Sequence, residues 1–302
     1  IGRHLLPKLR GIDETTDPEE IRRLMDPVRG HPMAKTALET ALLDLWLRHR
    51  DQSLGDYLGA VRDRVDCGVS VGIPASETVA ELLEEVESYV DAGYRRIKLK
   101  IEPGWDIEPV TAVRERWPSM PMQVDANQAF HREDGPLLAR LDDLDLLLIE
   151  QPLPEDDWYG HVLLSEQVST PICMDESILS VVSAESAISM GATSIINIKP
   201  GRVGGYLTAR DIHDLCRDRG VPVWCGGMLE TGIGRAANLA IAAMEGFTLP
   251  GDTSASSRYY AQDVTEPFVL DDGQLPVPTG PGIGVDPIPE VLAGMTTDVI
   301  EL

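Results

Sequence analysis

The sequence predicts an α/β fold, a (β/α)₈ barrel of the TIM type, on three observations. Short apolar runs alternate with amphipathic helical stretches from Cys67 onward, eight such runs fit between Cys67 and Leu249, and charged residues close successive runs at a nearly constant interval. Apolar strands alternating with helices imply a parallel sheet covered by helices. Eight units in about 200 residues suit a closed barrel near the low end of its usual size.

The elements follow in order. Residues 17–29 and 32–49 read as helices, the second with apolar residues at helical spacing (Met33, Ala37, Leu38, Ala41, Leu42, Leu45, Trp46). The strand-like runs are Cys67–Ile73, Arg96–Ile101, Met122–Asp125, Leu146–Glu150, Ile172–Asp175, Ser194–Lys199, Val221–Cys225 and Phe247–Leu249. Helix-like segments such as Glu77–Ala92, Asp106–Trp117 and Tyr206–Arg219 lie between them. An open doubly wound sheet is the competing architecture. It would carry a Gly-rich fingerprint after its first strand, and Val71-Gly72-Ile73-Pro74 is not one. From Gln262 the chain is rich in Pro and Gly, especially over Pro276–Pro289, and reads as an extended return path ending in a short strand near Thr297–Leu302.

Length and composition narrow the function classes. At 302 residues the chain accommodates one large domain and a smaller attachment. Its 43% hydrophobic and 25% charged residues are ordinary for a soluble globular protein. No run approaches the ~20 apolar residues that span a bilayer. The opening Ile-Gly-Arg-His is not followed by an apolar run, as a signal peptide would be, and the missing initiator methionine suggests a start inside a longer gene product. A net charge of −24 opposes nucleic-acid and anionic-membrane partners, because phosphate neutralisation needs a basic face. Cys67, Cys173, Cys216 and Cys225 are scattered without C-x-x-C spacing and read as buried free thiols in a reducing cytoplasm.

Lysine usage is sharper. There are five lysines (Lys8, Lys35, Lys98, Lys100, Lys199) against twenty-one arginines, and three of the five fall inside apolar strand-like runs. Lysine can be tuned into a base; arginine in practice cannot.

Lys100, Asp125, Glu150 and Asp175 are each 25 residues apart, and Lys199 follows after 24. A βα unit of that length places all five at the C-terminal ends of strands, the face on which barrels hold their active sites. Any one of these charges could be merely the first solvated residue after a strand; a series of five with signs +, −, −, −, + is harder to explain that way. Three carboxylates on neighbouring strands repel one another unless a cation sits among them. Oxygen donors without histidine or cysteine point to a hard ion, Mg²⁺ before Mn²⁺ or Ca²⁺, and none of the six histidines falls at a strand end, which argues against zinc.

Lys100 and Lys199 close runs two and six, about half a turn apart in a ring of eight, so each would address one face of a carboxylate held between them. One lysine removes the proton next to that carboxylate; the other returns it or stabilises the developing charge. The cation offsets the second negative charge that makes such a proton hard to remove. Lys98 shares a strand face with Lys100, and adjacent ammonium groups are expected to lower the pKa of Lys100 from ~10.4 toward ~7–8, as a general base requires.

These segments resemble the enolase superfamily, whose members use a lysine or histidine base and a metal-stabilised enediolate. The two-lysine pattern is similar to the muconate lactonizing subgroup, and within it to the o-succinylbenzoate synthase / N-acylamino acid racemase family. The resemblance rests on Arg96-Ile97-Lys98-Leu99-Lys100-Ile101, Val124-Asp125-Ala126-Asn127, Ile149-Glu150-Gln151-Pro152-Leu153 and Met174-Asp175-Glu176-Ser177. It extends through Asn197-Ile198-Lys199-Pro200-Gly201-Arg202-Val203-Gly204-Gly205, residues 226–235, His31-Pro32-Met33-Ala34-Lys35 and residues 251–256, nearly the whole chain.

The resemblance implies Asp125, Glu150 and Asp175 as Mg²⁺ ligands, Lys100 and Lys199 as the acid/base pair, and Lys98 as an assistant to Lys100. Ser70, Asn127, Glu176, Gly227 and Met228 match positions near metal or substrate, although Met228 reads equally well as a packed apolar side chain. It implies residues 1–65 as the helical part of an α+β capping domain, 66–260 as the catalytic barrel, and 261–302 as a segment returning to the cap. Family members begin with a further N-terminal part of that cap, whose mobile loops close over the substrate; this sequence starts in the cap's helices, which leaves the contacts and water exclusion of those loops open, whether that part is deleted or only lies outside this sequence.

The implied activity is racemisation of N-acyl (N-succinyl) amino acids, with syn dehydration to o-succinylbenzoate in menaquinone synthesis as companion or alternative. A dipeptide epimerase or cycloisomerase of the same subgroup is a further alternative, but Asp252-Thr253-Ser254 lacks the second aspartate of the epimerase pattern. A pyridoxal-phosphate barrel would not need three carboxylates at 25-residue steps. A non-catalytic, metal-stabilised interaction barrel is the reading outside enzymes. The expected partner is a small-molecule carboxylate, and a cytoplasmic homo-oligomer is expected.

Overall fold

The computed structural model describes residues 1–299. Nine strands are present among them: β1 (Arg64–Asp66), β2 (Gly68–Val71), β3 (Arg96–Lys100), β4 (Met122–Asp125), β5 (Ile149–Glu150), β6 (Ile172–Met174), β7 (Ile195–Ile198), β8 (Val223–Cys225) and β9 (Gln274–Pro276). The α-helices are α1 (Pro18–Met25), α2 (Pro32–Arg48), α3 (Leu54–Leu58), α4 (Val79–Asp91), α5 (Ile107–Arg116), α6 (Gly135–Leu138), α7 (Trp158–Ser165), α8 (Val181–Met190), α9 (Pro200–Val203), α10 (Tyr206–Asp218), α11 (Gly232–Ala242) and α12 (Pro289–Met295).

Strands β2 through β8 form one curled parallel sheet in sequence order. The register sets Lys98 beside Ser70 and Gln123, and Lys100 beside Asp125, which in turn pairs with Glu150. Successive side chains point to opposite faces. One face carries Ile97, Leu99, Val124, Ile149, Ile172, Ile196, Ile198 and Val223 into the main core, where the sheet packs against helices such as α4, α10 and α11. The opposite face carries Arg96, Lys98, Lys100, Gln123 and Asp125, over a small apolar floor of Leu148, Cys173, Ile195 and Trp224. Alternation thus separates an apolar outer face from an inner face that carries the charges of β3, β4 and β5.

Seven of the eight expected runs form strands. The run Phe247–Leu249 does not: Phe247 makes one isolated parallel bridge with Val223, and Gly251, just beyond the run, makes another with Cys67. Pro250 has no N–H to donate, which interrupts a regular ladder there. The segment still bonds both sheet edges, with Gly68 N donating to Gly251 O at 2.7 Å and Asp252 N to Cys225 O at 2.9 Å.

The early helices also differ from expectation in detail. Asp17 caps α1, accepting from Glu19 N at 2.8 Å, and the helix stops at Met25, just before Asp26-Pro27, rather than at 29. In α2 the fully buried positions are Glu39, Leu43 and Leu47, whereas Met33 and Leu45, placed on the apolar face from sequence, are 56% and 47% exposed. The helix is packed on two sides, between an N-terminal cluster of Leu5, Leu9, Ile21 and Met25 and the α9–α10 region, so its apolar residues do not form one stripe.

The tail is more ordered than an extended return. β9 pairs antiparallel with β1, Gly282 bridges Ser53, and α12 follows. Thr297–Val299 form no strand, and the rest of the strand expected near Thr297–Leu302 lies outside the described residues. The four cysteines are buried free thiols. Among the described residues no helix is long and apolar enough to cross a membrane.

Candidate active site

The five periodic charges sit at consecutive strand ends. Lys100, Asp125 and Glu150 are the last residues of β3, β4 and β5, and Asp175 and Lys199 directly follow β6 and β7. Alternation turns all five to the inner face. Asp125, Glu150 and Asp175 are buried, Lys199 is 8% exposed, and the Lys100 side chain is 30% exposed.

Every acid meets a cation. Lys100 Nζ donates to Asp125 Oδ2 at 2.6 Å and also to Asn127 Oδ1. Lys199 Nζ donates to Asp175 Oδ2 at 2.6 Å, and Arg202 Nη1 lies 2.5 Å from the other oxygen of Asp175. Glu150 accepts from Lys98 at 3.1 Å and from Asn197 Nδ2 at 2.7 Å. Each strand-end carboxylate is turned onto a cation, and among the described residues no group of three or more His, Cys, Asp or Glu side chains is arranged to hold a metal ion.

Burial and charge divide the titrations. Burial, reinforced by Asp125, pushes Glu150 up to about 8. Burial also acts to raise Asp125, but Lys98 and Lys100 outweigh it and hold that carboxyl below the usual range. Asp125 therefore keeps the negative charge more readily than Glu150. Burial pulls Lys199 down while Asp175 and Glu150 pull harder, so its ammonium is raised.

Lys98 shares the inner face with Lys100, as alternation predicts, and its ammonium is held by three carboxylates. Its Nζ lies 2.7 Å from Asp252 Oδ2, 3.1 Å from Glu150 Oε2 and 3.3 Å from Asp125 Oδ2. Desolvation alone would depress it, yet these three carboxylates hold it well above the ordinary lysine range. Trp224 forms the apolar floor beneath, with Lys98 Nζ 4.9 Å from its ring centroid.

The substrate-side candidates divide. Asn127 joins the cluster through Lys100, through its own N–H to Asp125 Oδ1 at 3.0 Å and through Nδ2 to Glu176 Oε1 at 2.9 Å; its φ of 41° is a conformation few non-glycine residues adopt. Glu176 keeps one buried oxygen without a hydrogen-bond partner. Ser70 lies beside Lys98 in register, and its carbonyl accepts from Arg258 at 3.1 Å. Gly227 packs where a Cβ would strike the Asp252 carbonyl. Met228 is 41% exposed rather than packed, its N–H bonded to Glu230 Oε1 at 2.7 Å. A cavity of about 770 Å³ opens beside Lys199, Gly226 and Met228 and runs toward Thr36 and Thr40 of α2.

Sequence reasoning missed the Arg96–Asp252 pair as part of the site. Arg96 Nη2 lies 2.8 Å from Asp252 Oδ1 and 2.9 Å from Pro250 O. Burial would raise Asp252, but Lys98 and Arg96 hold it far below the usual carboxylate range. The signal was present: Cys225 comes 26 residues after Lys199 and Asp252 27 after that, continuing the strand-end rhythm. Arg96 shares the inner face with Lys98 and Lys100 by simple alternation.

The family model described as enolase C-terminal domain-like matches residues 81–291. An N-succinylamino acid racemase of an Amycolatopsis species is 58% identical over 295 residues, covering 97% of this chain and 79% of that protein. An o-succinylbenzoate synthase of Geobacillus stearothermophilus is 49% identical over 270 residues, covering 89% of this chain and 72% of that protein. The crystal structure of muconate cycloisomerase from Pseudomonas fluorescens superposes with a TM-score of 0.91 at 28% identity, covering 99% of this chain and 84% of that one. The charged inner face and these relatives agree: the chain belongs to the enolase superfamily, in the family of N-succinylamino acid racemases and o-succinylbenzoate synthases.

Proposed function

We propose that this enzyme abstracts the proton α to the carboxylate of N-succinyl and related N-acyl amino acids and returns it to either face, racemising them, with syn dehydration to o-succinylbenzoate as a companion activity. The observation that carries the reading is the order Lys100, Asp125, Glu150, Asp175, Lys199 on consecutive strand ends of one sheet face. The segment 246–252, bonded to both sheet edges, supports closure as a (β/α)₈ barrel spanning 66–260. Residues 1–65 and 261–302 would then form the capping side.

In donor type the three acids suit a hard divalent ion. All donors are carboxylate oxygens, the set that suits Mg²⁺, with Mn²⁺ as substitute. Their present partners, Lys98, Lys100, Lys199 and Arg202, supply the positive charge that such crowding demands, and a divalent ion would add positive charge at the same acids. When bound, it offsets the negative charge that develops on the substrate carboxylate as the α-proton leaves.

The chain's own residues do the rest. Lys100 serves one face of the α-carbon and Lys199 the other; in dehydration Lys199 remains an ammonium that steadies the developing charge. Asn127 orients Lys100. The four buried thiols fit a reducing cytoplasm, and a homo-oligomer is the expected assembly. The test is incubation with N-succinyl amino acids in D₂O and Mg²⁺, which should wash deuterium into the α position. Exchange that persists in excess EDTA would overturn the metal role.

A further inference from the structure

One buried carboxylate takes no part in the chemistry above. Glu39, in the middle of α2, is 1% exposed. Its Oε1 accepts from Leu207 N at 3.2 Å, at the first turn of α10, while Oε2 has no partner. The carboxylate lies flat on Gly205, whose φ of 143° favours glycine and where any Cβ would overlap it. Thr36, one turn earlier on the same helix, has its hydroxyl 3.1 Å from Pro200 O and 2.9 Å from Pro32 O. Two side chains of α2 therefore clasp both ends of residues 200–207, the segment that leaves Lys199.

That segment is rigidly joined to Lys199. The Lys199 carbonyl accepts from Arg202 N at 2.8 Å and Val203 N at 3.2 Å, and the Pro200 carbonyl accepts from Gly204 and Gly205 at 3.2 and 3.0 Å. Opposite, the Lys199 side chain passes Gly226, where an added Cβ would stand 2.6 Å from Lys199 Cε. A shift of the 200–207 turn thus shifts the lysine, with little slack on the far side.

We propose that Glu39 and Thr36 are positioning residues for Lys199, acting through the 200–207 turn, so that α2 aims one of the two catalytic amines; the inference rests on Lys199 serving one face of the substrate. Lys100, at the end of β3, receives no such support from α2. A displacement near 1 Å is costly to a proton transfer, so the two faces should respond unequally.

The experiment is α-proton exchange in D₂O and Mg²⁺, measured separately from each enantiomer of an N-succinyl amino acid, with thermal melting of each variant. The enantiomer silenced by Lys199→Arg defines the Lys199 face. Glu39→Ala should slow that enantiomer on the order of tenfold more than the other. Glu39→Gln, whose amide oxygen can still accept from Leu207 N, should recover most of the loss, and Thr36→Val should give a smaller loss of the same sign. Equal loss from both enantiomers, or no loss, overturns the inference. If Glu39→Ala does not fold, Glu39→Gln and Thr36→Val decide: a selective loss in Thr36→Val supports the inference, and equal effects of both variants on the two enantiomers overturn it. Parent protein that exchanges neither enantiomer removes the acid/base reading and this inference with it. Normal exchange left intact by Lys199→Arg removes the role of Lys199, and the positioning role with it.

Discussion

The Nζ of Lys98 lies 2.7 Å from Asp252 Oδ2, nearer than either strand-end acid that it also touches. Asp252 in turn accepts from Arg96 at 2.8 Å, so one carboxylate from the loop after the eighth run holds two cations of β3 in the sheet interior. Replacing that carboxylate by a neutral amide leaves both cations buried without their shared anion. Asp252→Asn should therefore destabilise the fold by about 3–5 kcal/mol, read from urea unfolding. A midpoint and slope equal to the parent's would mean that Lys98 and Arg96 are satisfied without it.

Lys100 and Lys199 each hold a separate acid, Asp125 and Asp175, both at 2.6 Å. Lys100→Arg should abolish exchange from one enantiomer and Lys199→Arg from the other, each by about 10²–10⁴-fold, because arginine keeps the charge but cannot act as a base. Unchanged rates in both variants would remove the two-base mechanism.

Asp125 and Asp175 pair with Lys98, Lys100, Lys199 and Arg202 at 2.5–3.3 Å. In Asp125→Asn and Asp175→Asn, calorimetric titration with Mg²⁺ should show affinity lowered by more than the roughly 10–100-fold typical of outer-shell partners. Affinity within about twofold of the parent would exclude these residues as ligands, since outer-shell changes alone cost more than that.

Glu39 gives a pH signature. Burial raises its carboxyl from 4.5 to about 7, against the pull of the Leu207 and Tyr206 N–H groups and Arg22, and with a small push from Glu19. The folded pKa lies above the unfolded one, so its contribution is fully present below about pH 4.5 and is lost as pH rises through 7. Glu39→Gln should flatten the stability profile in that window, measured by denaturant unfolding at several pH values. A parallel profile would place the titration elsewhere.

The inner face of the sheet was legible in the sequence because two local rules fix it. Side chains alternate along a strand, and a constant βα length repeats the same point of the unit, so Lys100, Asp125, Glu150, Asp175 and Lys199 could be put on one rim from spacing alone. The helices α2, α4, α5 and α10 followed from periodicity to within a residue or two at each end. Their capping residues and prolines are written locally. Pairings across the fold were not legible. Nothing near Lys98 in the chain announces that Asp252, 154 residues later, takes its ammonium, and nothing in α2 marks Glu39 as the polar member of a buried row. The period, the strand faces and the chemical types at the rim can all be read from the order of residues, since they depend on neighbours one to four positions away and on a repeated unit length. Which cation each acid holds, and which glycines must stay bare, Gly205 and Gly226 among them, became fixed on folding, because ion pairs and close packing depend on distances between segments that are remote in the chain.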